Sequence, residues 1–226
     1  MIATAKAVDK TIKSKTTKGE ETSVKIILAT LNIVKREGMR GVRHRAVASE
    51  AGVPLGTTTY HFKNIEELIV SAFSYWRVQT DLSTNPLVVA IDEYLTNNAP
   101  KLIETKAGTQ ELATTIYHYV VDYEIDQIES RHDNRVIELA FYHESLQNDR
   151  LREEVFAYWK NELVGLTRFY ELAHTDNPEA DARITQSVFH QLEREAMMQG
   201  DAYNIDVIRN VLRRTVNIIF NAKIGD

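Results

Sequence analysis

Few residues in this chain have the types and spacing needed to hold a metal or move a proton. Glutamate precedes histidine by three positions twice, as Glu129-x-x-His132 and Glu171-x-x-His174. On a helix that spacing puts both side chains on one face, which is the ligand pattern of di-metal carboxylate bundles. Both pairs lie beside polar stretches, residues 131–134 and 175–178, where an inward face is not expected. Cysteine is absent, which removes thiol catalysis, disulfide scaffolds and cysteine-based zinc sites. No HExxH, P-loop, GxGxxG or GxSxG spacing occurs. No catalytic constellation assembles, so the expectation is a non-enzyme with no metal and no cofactor. The alternative is an all-α metal-dependent oxidoreductase built on the two Glu-x-x-His pairs, with a fortuitous basic N-terminal region.

Charge points elsewhere. The 226 residues carry a net charge of −5, but unevenly. Residues 1–63 hold 12 basic and 5 acidic groups, and residues 64–226 hold 15 and 27. A head at +7 on a body at −12 suits a head that meets a polyanion. The excess is not confined to a lysine-rich start, because beyond residue 20 the head keeps seven basic groups against three acids. Within it, residues 44–63 read HRAVASEAGVPLGTTTYHFK. This describes a short helix, a glycine turn at Gly52 and a second helix rich in hydroxyls. Val47, Ala48, Val53 and Phe62 are expected to pin the pair together. The second helix has no apolar stripe beyond Leu55, and a helix that buries no face is presenting one. That is the build of a helix-turn-helix, whose second helix enters the major groove of DNA.

The residues that carry this pattern are Val47-Ala48, Ala51-Gly52-Val53, Gly56-Thr57, Tyr60-His61-Phe62-Lys63 and Glu66-Glu67-Leu68. In type and spacing they resemble the DNA-binding signature of the TetR family of bacterial transcriptional regulators, over about residues 22–76. Two departures stand out. Arg43 occupies a position where the family usually has a capping Ser or Thr, and Thr58 and Thr59 replace an apolar residue and a Tyr. The resemblance implies that Arg45 and Thr57 face base edges, where an Arg fork can read guanine. It implies that Gly56 lets the backbone approach DNA, and that His44, Tyr60, His61 and Lys63 meet phosphates. Arg43, Leu55, Thr58 and Thr59 complete the expected DNA-binding set. The two histidines are read as neutral donors, since no third ligand lies nearby in sequence.

These side chains need helices to hold them. Apolar residues recur at 24, 27, 28, 31 and 34, with Thr22 or Ser23 as a cap and Gly38 as a stop. Asn64 with Glu67 forms a capping box before Leu68, Ile69, Ala72, Phe73 and Trp76. Farther on, Asn85-Pro86 and Asn177-Pro178 are cap-plus-proline starts, and Gly200 is a stop. No stretch alternates with period two, so the fold class is all-α. The expected organisation is a flexible basic arm at 1–21, a three-helix DNA-binding head at 22–76 and a helical ligand-binding and dimerisation bundle at 77–226. Uncharged apolar runs fall far short of the roughly 18 residues of a membrane span. The lysines of residues 1–18 have no apolar stretch behind them, unlike a secretory signal, and a cytoplasmic location is expected.

The body is dense in aromatic residues, and tyrosine hydroxyls want partners. An amphipathic pocket is therefore expected between its helices, drawn from Trp76, Gln79, Tyr94, Tyr117, His118, Tyr123, Phe141, His143 and Trp159. The family resemblance implies the same, a small-molecule effector in the body and a homodimer that sets two heads on a palindromic operator, as a repressor released by that effector. The expected interface is a four-helix bundle from residues 151–172 and 178–199, through Leu163, Leu166, Ile184, Val188 and Leu192. The last three are expected to be covered by the partner, and residues 205–220 are the rival interface.

Overall fold

The computed structural model describes residues 18–80 and 85–225. Among them every regular element is helical. Two compact units divide the chain, Met1–Trp76 and Arg77–Asp226.

In the first unit, α1 (Lys18–Glu37) buries Ile26, Ile27, Leu31, Ile33 and Val34 along one face. It starts four residues before the expected cap. Thr22 sits inside it, and its hydroxyl donates to the Lys18 carbonyl. Residues 18–21 of the expected arm are thus its first turn, and residues 1–17 lie outside the described residues. Gly38 leaves the helix at a φ of 70°, and a tight turn over Met39–Gly41 follows. A Cβ on Gly41 would sit 2.7 Å from Glu37 Cβ and 2.9 Å from an Ile33 methyl, so the turn folds directly onto α1. Next come α2 (His44–Ala51), α3 (Leu55–His61) and α4 (Ile65–Gln79). Val47, Ala48 and Ala51 form the buried face of α2, and Gly52 ends it in the left-handed region at φ 59°. Asn64 accepts the Glu67 amide at 2.8 Å, and Glu67 accepts the Lys63 amide at 2.9 Å. The box therefore closes one residue farther back than its usual form.

The second unit holds α5 (Pro86–Leu102), α6 (Lys106–Ser130), α7 (His132–Ser145), α8 (Asp149–Leu172), α9 (Pro178–Gln199) and α10 (Ile205–Ile219). Four of them open on an asparagine, Asn85, Asn148, Asn177 and Asn204, whose side chain accepts a backbone N–H of the first turn. Thr105 does the same for α6. A Cβ on Gly108 would lie 2.2 Å from the Leu102 carbonyl oxygen, so only glycine fits where α5 hands over to α6. Leu95, Ala99, Leu112, Ile116, Tyr170, Leu192, Ile208 and Leu212 share one core. Within it the Tyr170 hydroxyl meets Thr185 Oγ1 at 2.5 Å. Among the described residues no helix is long and apolar enough to cross a membrane.

Candidate functional site

Two surfaces could do chemistry, one in each unit. In the first, α2 and α3 meet at Gly52, whose N–H reaches the Ser49 carbonyl while Val53 bonds back to Ala48. Arg43 precedes α2 in an extended conformation and makes no side-chain cap, as its chemistry requires. Arg43 and Arg45 are exposed. His44 is half-buried, with Nδ1 buried and lacking a hydrogen-bond partner. On α3, Leu55, Gly56 and Thr59 are exposed, Thr57 and His61 are half-buried, and Tyr60 is 83% exposed. Tyr60 stands edge-on to His61, ring centroids 5.3 Å apart. A Cβ on Gly56 would meet nothing within 4 Å, so a polymer could approach the backbone there. Lys63 is exposed beyond Phe62, which is buried. The acidic Glu50 is occupied by Arg36, at 3.1 Å.

One expected contact is corrected. Thr58 is 0% exposed, and its hydroxyl donates to the Leu55 carbonyl at 2.8 Å. It faces inward where the family usually places an apolar residue, so it cannot meet DNA.

The second surface is a cavity of about 630 Å³ within the helical body. Val88, Ile91 and Asp92 of α5, Tyr119 and Tyr123 of α6, and Tyr158, Leu166 and Phe169 of α8 line it, with Thr185, Gln186 and Phe189 of α9. Arg135, His190 and Glu193 line it too, and they also line a smaller cavity of about 80 Å³ with Glu138 and Trp159. Arg135 Nη1 lies 2.8 Å from Glu138 and 3.2 Å from Glu193. Burial pushes the Glu162 carboxyl up to about 8, helped by Glu138, and Glu193 up to about 7. Burial and Glu193 push Glu124 well above the usual carboxylate range. Burial and the cations Arg135 and Arg194 lower His190 to about 4, leaving its imidazole neutral near pH 7. Glu138, Glu162 and His190 each offer a ligand atom within 4.8 Å of the others.

The expected pocket residues fare unevenly. Tyr123 lines the larger cavity, and Trp159 lines the smaller, stacked on Tyr142. The other seven line neither. Trp76 is buried in the first unit's α4 beside Phe73, and Gln79 is exposed. Tyr94 is turned to Thr115, Tyr117 is buried beneath the Arg213 guanidinium, and Phe141 is fully buried. His118 and His143 are exposed. The two Glu-x-x-His pairs of the alternative reading also fall apart. Glu129 lies in the last turn of α6 while His132 opens α7, and both are exposed. Glu171 and His174 are exposed at the end of α8, His174 at a φ of 54°.

The expected interface is corrected at Leu192, which its own chain buries. Leu163, Leu166 and Val188 are half-buried against the same core, and Leu166 lines the cavity. Ile184 is exposed, and so are Phe156 and Val164 of α8 and Met198 of α9, which sequence reasoning passed over. It also missed Arg135, Glu138, Glu162 and Glu193. Their signal was the spacing of acids on inward positions, such as Glu162 between Trp159 and Leu166.

No protein-family model and no curated protein matches the sequence. Solved structures do. A TetR-family member from Streptomyces coelicolor A3 is 24% identical, over 86% of this chain and 98% of its own, with a TM-score of 0.57. A transcriptional regulator from Rhodococcus sp. Rha1 is 16% identical over 88% and 96%, with a TM-score of 0.62. The multidrug binding protein EbrR, complexed with imidazole, is 25% identical over 85% and 93%, with a TM-score of 0.53. EbrR has also been solved with proflavin and with ethidium. The helix-turn-helix head and the helical body of this chain together make the fold of the TetR-family transcriptional regulators.

Proposed function

We propose that this protein is a cytoplasmic DNA-binding transcriptional regulator, a homodimer whose body takes a small-molecule effector that releases a palindromic operator. It acts by binding rather than by catalysis and needs no cofactor. The observation that carries the reading is α3, a helix that buries Thr58 and leaves Leu55, Gly56, Thr59 and Tyr60 to solvent. With Arg43, Arg45 and Lys63 beside them, they form a basic, hydroxyl-rich surface suited to a DNA groove. Arg45 and Thr57 are the base readers in this reading, and His44, Tyr60, His61 and Lys63 hold phosphates. One head spans too few base pairs for useful specificity, so two must act together.

The cavity supports the effector half of the reading. Its size and its aromatic walls, with a few polar groups, are those of a small-molecule site. Exposed Phe156, Val164 and Ile184 on α8 and α9 supply an apolar face for a two-fold interface. The test is selection of bound duplexes from a random pool with the full chain. An enriched palindrome is expected, and a pool with no enrichment overturns the reading.

A further inference from the structure

Four carboxylates converge on one guanidinium inside the body. Glu124 of α6 is 0% exposed, and neither of its oxygens has a hydrogen-bond partner. Glu138 of α7 and Glu193 of α9 hold Arg135 between them at 2.8 and 3.2 Å. Glu162 of α8 lines the cavity, and its Oε2 is buried without a partner. Tyr158 serves the Glu162 carboxylate as its hydrogen-bonding neighbour. The other charges of the cavity wall cancel, since Asp92 pairs with Arg168 at 3.6 Å and Arg77 with Glu154 at 3.5 Å. If all four acids ionise, Arg135 is the buried cation among them and the exposed Arg194 a second beside Glu193, so two negative charges stay uncompensated in a space of low polarity, which is costly. His190 gives no help, because burial keeps it neutral.

On these grounds we infer that the cavity takes an organic cation, a positively charged amine or ring on a planar apolar body, with its charge against Glu162 and Glu193. This rests on the effector reading above. The walls suit such a body, because Tyr119, Tyr123, Phe169 and Phe189 line the cavity, and aromatic rings attract a desolvated cation. The volume is far larger than one metal ion needs. Burial favours the protonated form of both carboxyls, Glu162 pushed up to about 8 and Glu193 up to about 7, so protons compete with a cation there. A bound cation expels them. Groups facing the cluster from the other helices act against each other: Tyr123 and Glu124 from α6, Arg135 and Glu138 from α7, and Arg194 beside His190 on α9. The net consequence is cation affinity that rises from pH 6 to pH 8, with protons released on binding.

Calorimetric titration of the full chain with ethidium, a permanent cation, and with phenanthridine, its uncharged ring system, tests this. Ethidium is expected to bind at least tenfold more tightly at pH 7.5 and to release protons, seen as a buffer-dependent heat. Glu162→Gln is expected to cut ethidium affinity at least tenfold and leave phenanthridine unchanged. Glu193→Gln repeats the test at the second carboxylate. Equal affinity for the two compounds overturns the cation inference, and leaves the effector reading standing if either compound also releases operator DNA. Failure of both to bind, or tight binding of manganese or zinc alone at Glu138, Glu162 and His190, also overturns it.

Discussion

Arg135 of α7 and Glu193 of α9, 58 residues apart in sequence, meet at 3.2 Å, with Nη1 donating to Oε1. Both are buried, so the pair is screened little and each partner depends on the other. Arg135→Met would strand Glu138 and Glu193. We expect a loss of about 3–5 kcal/mol at pH 8, the usual scale for breaking a buried pair. At pH 5 the loss should be smaller, because the stranded carboxyls can take up protons. Chemical denaturation at the two pH values measures both.

Glu162 gives stability an unusual pH dependence. Its folded value of about 8 lies above the unfolded value, so the fold favours its protonated form. That contribution is complete below the ordinary carboxylate range and is lost as pH rises towards 8. The native melting temperature should therefore fall between pH 5.5 and pH 8.5 more than that of Glu162→Gln. At pH 8.5 the variant should be the more stable of the two. Equal curves for both proteins would remove Glu162 as the cause.

Two glycines should respond oppositely to alanine. Gly108→Ala drives a Cβ into the Leu102 carbonyl and should cost about 1–3 kcal/mol, as overpacking does. Gly165 is helical and a Cβ there meets nothing within 4 Å. Gly165→Ala should stabilise α8 by about 0.5–1 kcal/mol. Thermal melts of the two variants check this directly.

Legibility tracked how local each constraint is. The turn at Gly52, the Asn64–Glu67 box and the Asn-Pro starts of α5 and α9 each involve neighbours within a few residues, and each forms. The buried Phe62 and the open Tyr60 follow from the same short segment. The cavity was not legible in that way. It is assembled from residues on five helices of the body, α5 to α9, and aromatic density alone does not say which rings face a void. Tyr117 and Phe141 sit in close-packed core instead. The Glu-x-x-His spacing looked chemical but falls at helix ends, whereas Glu162 and His190 are 28 positions apart in sequence and adjacent in space. Thr58 shows the same limit on a small scale, since one helical register decides whether a hydroxyl meets solvent or core.

Dimerisation is best tested away from the core. Val188 is half-buried against its own chain, so a charge there would also disturb the fold. Val164→Glu and Ile184→Glu place charges on exposed apolar positions of α8 and α9. Together they should yield a folded monomer by light scattering and circular dichroism, with operator binding lost. A variant that stays dimeric moves the interface to α10.

Base readers and phosphate holders should fail differently. Arg45→Ala or Thr57→Ala should cost about 1–3 kcal/mol and relax preference at particular base pairs. Lys63→Ala should weaken all sequences alike and lower the salt slope by about one.

The most direct test of the central claim is an anisotropy titration of the full chain against its selected duplex and a scrambled duplex of equal length. Measured at a fixed salt concentration near 0.15 M, the selected duplex should bind at least about a thousandfold more tightly, the lower end for specific DNA binding. Equal affinity for the two duplexes, or no binding to either, would contradict the account.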